Sequence, residues 1–214
     1  MQSIRQYSFS KVSTVAKFAI VDTLNMKELI NSLLRYNALN GYDIEMIKSK
    51  AQLKIIIKGD YFLETGKIAK QLGFVIEGVL RVCYLNDQGE DITRAFISEN
   101  HFALNIPSFN NKTPSEVNFE AVSDCTLLVF SEKDLTELAA VISCWNDIFS
   151  KIVAAALTSK LKISNNMLIQ DAKTRYLEFF KIYPGLANKV PLSALASYLG
   201  IKQSSLSRIR KNLT

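Results

Sequence analysis

Between Leu53 and Phe130 the chain is written as short β-rich runs separated by turn residues, and this cadence restricts the fold more than any other feature. The runs are Leu53–Ile57, Tyr61–Leu63, Gly73–Ile76, Val79–Leu85, Asp91–Ile97, Asn118–Val122 and Thr126–Phe130. Between the earlier ones lie Lys58-Gly59-Asp60, Glu64-Thr65-Gly66, Glu77-Gly78 and Asn86-Asp87-Gln88-Gly89, all turn-forming combinations. Strands this short at this spacing predict an all-β sandwich or barrel. In Val79–Leu85 one side carries Val79, Arg81, Cys83 and Leu85; Arg81 breaks that side's apolar character, so the facing of the strand stays open.

Helical periodicity takes over at Ser131. Ser131 and Asp134 have the spacing of a capping box, and Leu135, Leu138 and Ile142 follow on one face. A second helix is expected from Trp145 to about Met167. Its centre, Ile152–Leu157, is apolar all round, so it has to be covered on more than one side. One side can lie on the β domain and the other on a partner helix, with Ile148, Ile152, Ala155, Ala156 and Ser159 as the candidate dimer face. An ordinary central core helix is the alternative. Ser164-Asn165-Asn166 weakens that helix, Asp171 is a good N-cap for the next, Ala172–Ile182, and Tyr183-Pro184-Gly185 ends it. Upstream, Met26 opens an amphipathic helix; residues 1–25 lack a clean period and read as a poorly ordered extension.

This divides the chain into an extension (1–25), a β sensor with flanking helices (26–144), a long dimerisation helix (145–169) and a C-terminal helical domain (170–214). The fold class is α+β. Three scattered cysteines without a CxxC pair exclude a disulfide framework or a cysteine metal site, and one histidine, His101, cannot build a poly-histidine centre. No catalytic, metal or cofactor site is expected, and His101 reads as an exposed turn residue. The longest uninterrupted apolar run has six residues, so no membrane span is expected and the protein reads as cytoplasmic.

Charge points to the C-terminal domain. The last acidic residue is Glu178; after it come Lys181, Lys189, Lys202, Arg208, Arg210 and Lys211, which equal the whole net charge of +6. A basic end on a neutral body fits a surface addressed to a polyanion, or a solvated tail. Leu192–Lys211 decides between them. Ala196 supplies the small residue where two helices cross, Gly200 the turn that tolerates positive φ, and Leu195, Leu199, Ile201, Leu206 and Ile209 the apolar seam of a helix-turn-helix. The start of the second helix enters the major groove in such motifs, which nominates Gln203, Ser204 and Arg208 as base readers. Lys202, Ser205, Ser207, Arg210 and Lys211 are the phosphate candidates, although the two serines can face either. Lys202 lacks the hydroxyl of a good N-cap.

KGDYFLETG, then FVIEGVLRVCYLNDQGEDITRAF, then PLSALASYLGIKQSSLSRIRK resemble, over roughly residues 28–214, the Crp/Fnr family of bacterial transcription regulators. The resemblance implies a double-stranded β-helix (jelly roll) of the cyclic-nucleotide-binding kind, a homodimer joined by the long helices, double-stranded promoter DNA as target, a small-molecule effector and contact with RNA polymerase. Three departures matter. Members that bind cyclic nucleotide carry Gly-Glu-Leu and Arg-Ser-Ala in the phosphate cassette; the matching stretch here runs from Phe102 and Asn105 to Ser115 and Glu116, and no arginine occurs between Arg94 and Arg175. Without a bidentate cation there, tight cyclic AMP binding is not expected. The cysteine cluster of oxygen-sensing relatives is absent, and the chain stops three residues after Lys211, so the β-wing is expected to be truncated or missing. Two competing readings are a jelly-roll enzyme, which the single histidine disfavours, and a small-molecule-binding or protein-interaction module whose helix-turn-helix serves only packing.

Overall fold

The computed structural model describes residues 26–183, 185–186 and 189–213; the expected N-terminal extension lies outside them. Two helices come first, α1 (26–34) and α2 (Gly41–Lys50). A reciprocal capping box between Asn40 and Asp43 starts α2. Eight strands follow: β1 (Gln52–Ile56), β2 (Tyr61–Leu63), β3 (Gln71–Glu77), β4 (Leu80–Leu85), β5 (Asp91–Ile97), β6 (Phe102–Ala103), β7 (Asn118–Ala121) and β8 (Cys125–Ser131), with a short helix α3 (Ile106–Asn111) between β6 and β7. They form two antiparallel four-stranded sheets, ordered β1-β8-β3-β6 and β2-β7-β4-β5. This is a jelly roll, and all seven β runs read from the sequence are in it.

The inner faces of the sheets share one core built on Leu63, Val75, Leu80, Phe119, Leu127 and Val129. The first sheet is apolar on both faces. On its outer side Leu72, Phe74, Leu128 and Phe130 pack against α1, α2, α4 (Glu132–Val141) and the start of α5 (Trp145–Ile169). That explains why Cys125–Ser131 reads as a nearly continuous apolar run rather than an alternating one. Gly78, in the β3–β4 turn, has φ +90°, and a Cβ there would lie 2.2 Å from the Asp124 carbonyl oxygen, so only glycine fits.

The second sheet turns a different outer face to its neighbours. Arg81 reaches across three strands there: its Nε and Nη2 donate to Glu120 on β7 at 3.1 and 2.5 Å, and Nη1 to Asp91 on β5 at 2.8 Å. The open question about β4 is thereby answered: Arg81 and Cys83 point outward, and the clamp satisfies the guanidinium that interrupts the apolar side.

The remaining helices are α5, α6 (Ala172–Ile182), α7 (Leu192–Tyr198) and α8 (Gln203–Lys211). Helix α5 runs through Ser164-Asn165-Asn166 without a break and ends at Ile169, the boundary expected for the long helix. Asp171 caps α6 by accepting the Thr174 amide at 2.7 Å, and that contact holds its carboxyl below the usual carboxylate range. The cluster that holds α6, α7 and α8 together also includes Val79, Phe96 and Val122 from the β-roll. The two parts of the chain thus share one apolar core.

Candidate nucleic-acid interface and ligand cradle

The helix-turn-helix closes as its residue types require. Gly200 takes φ +66°, and the Ile201 amide donates to the Ala196 carbonyl at 3.0 Å, bringing the helices together where the side chain is smallest. Leu195, Ala196, Leu199 and Leu206 are buried; Ile201 and Ile209 are half-buried against the same cluster. One polar residue that the sequence reading passed over holds the turn. Arg175 on α6 donates from Nε to the Leu199 carbonyl at 3.0 Å and from Nη1 to the Gln170 carbonyl at 2.5 Å, tying the α5–α6 junction to the end of α7. Its residue type carried no signal, because Lys173, Glu178 and Lys181 make α6 charged throughout.

On α8 the exposed residues are Gln203, Ser204, Ser207, Arg208 and Lys211, which at 3.6 residues per turn form one outward stripe. Ser205 is half-buried beside it. Lys202 occupies the N-cap without a side-chain bond to the helix. Arg210 is placed differently from an outward phosphate contact. It is half-buried, its Nε donates to the Tyr176 hydroxyl at 3.1 Å, and its guanidinium lies 5.9 Å from that ring's centre. It braces α8 on α6.

Helix α5 takes two of the five candidate dimer-face residues into the subunit itself. Ile148 and Ile152 are buried in the subunit's own core with Trp145. They face the roll because the helix docks there through its first turns. Ala155, Ala156 and Ser159 are exposed. On the opposite side stand Leu157, Leu161 and Leu168, with 48%, 66% and 84% of their surface open. Ala154, Leu157, Leu161, Ser164 and Leu168 recur at alternating steps of three and four, the seam spacing of paired helices. Further along, Ile163 and Met167 rejoin the helix-turn-helix cluster.

In the roll, Asn105 caps α3 and Ser115 is buried on the way to β7. Asn105 Nδ2 donates to Ser115 Oγ at 2.8 Å, and Ser115 Oγ donates to the Val117 carbonyl at 2.6 Å. Asn105 and Ser115, which the resemblance sets against the Gly-Glu-Leu and Arg-Ser-Ala stretches, therefore satisfy each other, and neither supplies a cation. Glu116 is exposed, and Phe102 packs on Phe74 with ring centres 4.9 Å apart and planes tilted by 56°, in the packing against the helices. A cleft of about 440 Å³ opens beside this region between β2, the 64–70 loop and the start of β3, lined by Tyr61, Phe62, Lys67, Gln71 and Asn105 among others. His101 is exposed, its Nδ1 2.9 Å from the Glu99 carbonyl oxygen.

Residues 54–141 match the cyclic nucleotide-binding domain family. Among solved structures, FixK2 from Bradyrhizobium japonicum superposes with a TM-score of 0.66 at 16% identity, covering 76% of this chain and 84% of that one. This is the Crp/Fnr fold. The c-di-GMP responsive global regulator CLP from Xanthomonas campestris matches with a TM-score of 0.62 at 16% identity over 81% of this chain and 91% of its own. The catabolite activator protein of Thermus thermophilus matches with 0.54 at 17% identity, over 85% and 86%. No curated protein matches in sequence. Among the described residues no helix is long and apolar enough to cross a membrane.

Proposed function

We propose that this chain is a homodimeric regulator that reads double-stranded DNA through α8 and carries in its β-roll a sensor for an effector other than cyclic AMP. The observation that carries the reading is the stripe Gln203, Ser204, Ser207, Arg208 and Lys211, turned to solvent on a helix anchored by the buried Leu206. Gln203 pairs with adenine, Arg208 with guanine, and Ser204 lies between them at the groove. Lys202 and Lys211 meet phosphates and set affinity and salt dependence rather than sequence. Ser207, beside Arg208 on the stripe, is within reach of either. The partner subunit pairs along Leu157, Leu161 and Leu168, which gives an apolar seam something to bury against.

The Asn105–Ser115 pair supports the effector reading. A phosphate entering there has to break a formed hydrogen bond and finds an amide and a hydroxyl in place of a guanidinium fork.

Selection of bound fragments from random duplex DNA tests the function. The expected result is one enriched two-fold-symmetric motif whose half-sites lie about one helical turn apart. No enrichment over competitor DNA at low salt would overturn the reading in favour of a sensor or interaction module alone.

A further inference from the structure

We propose that strand β5 aims the DNA-reading head, with Phe96 and Thr93 as positioning residues for recognition; this rests on the DNA-reading assignment above. Strand β5 is the outer edge of its sheet. Its register with β4 pairs Cys83 with Thr93, Val82 with Ala95 and Arg81 with Phe96, so Arg94 is an extra, bulged residue. The bulge changes which residues share a face. Thr93 and Phe96 are three apart, an odd number that in a regular strand puts them on opposite faces. Here both lie on the outer side, with Cys83 and Arg81, and both are buried.

What buries them is the helix-turn-helix. The Phe96 ring lies 5.9 Å from Phe179 of α6 and 5.3 Å from Tyr198 of α7, centre to centre. The Thr93 amide, on the edge strand, donates to Ser197 Oγ of α7 at 2.9 Å, and that hydroxyl lies 3.3 Å from the Asp91 carbonyl oxygen. The Tyr183 hydroxyl reaches the Phe96 carbonyl at 3.4 Å, and Lys189 pairs with Glu99 at 3.2 Å. The reading stripe remains exposed in this docked arrangement, so the contact fixes the head without hiding it. The other face of β5 turns inward: Ile97 joins the interior cluster with Val82 and Tyr84 of β4. One strand therefore separates the sensor's interior from the reader. A rigid head matters because two half-sites are engaged at once only if both helices are held at the right separation; the gain from the second contact vanishes when the geometry is loose.

The test compares the full-length wild type with Phe96→Ala, Phe96→Leu and Ser197→Ala on the selected duplex, on duplexes with half-site spacing altered by two and five base pairs, and on a single half-site. Amide exchange at Thr93 is followed in parallel without DNA. The expected result for Phe96→Ala is unchanged half-site binding, about 10-fold weaker binding at the native spacing and a flattened spacing preference, with Phe96→Leu recovering most of it. Wild-type spacing preference in a folded Phe96→Ala protein overturns the proposal. If Phe96→Ala loses half-site binding because the head unfolds, Ser197→Ala decides: faster Thr93 exchange with a weakened spacing preference supports the proposal, and an unaltered preference overturns it. If the wild type binds no duplex at all, the DNA assignment fails separately. Docking is then judged by exchange alone: a Thr93 amide that exchanges slowly in the wild type and fast in Ser197→Ala upholds it, and fast exchange in both refutes it.

Discussion

Replacing Leu161 with alanine should weaken the dimer by about two orders of magnitude while leaving each subunit folded. In the isolated subunit 66% of Leu161 is open, and the residue lies on the seam with Leu157 and Leu168 rather than in any of the subunit's buried clusters. Leu→Ala removes three carbons, each worth about 0.8 kcal/mol when buried. Scaled by the open fraction, the loss is about 1.6 kcal/mol per subunit and about 3 kcal/mol per dimer, since each chain contributes one copy. At about 1.4 kcal/mol per tenfold, the dissociation constant rises about 200-fold. Sedimentation equilibrium measures the shift directly, and thermal unfolding at high protein concentration checks the subunit. The contrasting variant is Ser159→Lys, on the side of α5 that carries Ile148 and Ile152: it should leave association unchanged. Dissociation caused by Ser159→Lys but not by Leu161→Ala would refute the assignment of the seam.

Other expectations follow from the head, the roll and the thiols. Leu206→Ala empties a fully buried position and should cost the helix-turn-helix about 2–5 kcal/mol, read as lost helical signal and lost DNA binding together. Arg208→Ala, at an exposed site, should leave unfolding unchanged and relax base preference at one position of the selected motif. Cyclic AMP should give no binding heat at micromolar concentration, and micromolar binding would contradict the closed Asn105–Ser115 pair. Burial pushes the Cys83 thiol from its ordinary value of 9.0 up to about 12, so alkylation at neutral pH should strike the half-buried Cys144 first and reach Cys83 and Cys125 only on unfolding. The sign for stability follows: the unfolded chain releases the Cys83 proton above about pH 9 while the folded chain holds it, so stability should fall between about pH 9 and 12, measured by denaturant titration.

The sequence made the roll legible because seven of its strands are punctuated by Gly, Asp and Asn turns. It hid β6, since Phe102 and Ala103 are too few for any periodicity, and α2, whose Gly41–Lys50 pattern buries only Ile47. The helix-turn-helix was readable position by position, from Ala196 to Ile209, because small, turn and apolar residues are each demanded by a local contact. Facing was harder. Ile148 and Ile152 look like interface residues in a helix that is apolar all round, and only the roll's packing shows that they belong to the subunit's own core. Arg210 reads as one more cation until Tyr176, 34 positions away, is seen beneath it. The docking of Phe96 was invisible for a similar reason: alternation sends Thr93 and Phe96 to opposite faces, and the bulge at Arg94 leaves no mark in the residue types.

The central claim is that α8 reads DNA as one of a symmetric pair, and footprinting of full-length protein on its selected duplex across a salt series tests it most directly. The account predicts two protected half-sites about 34 Å apart, lost together as salt rises, with protection of both weakened by Arg208→Ala. A single protected site, or protection indifferent to sequence at every salt concentration, would contradict it.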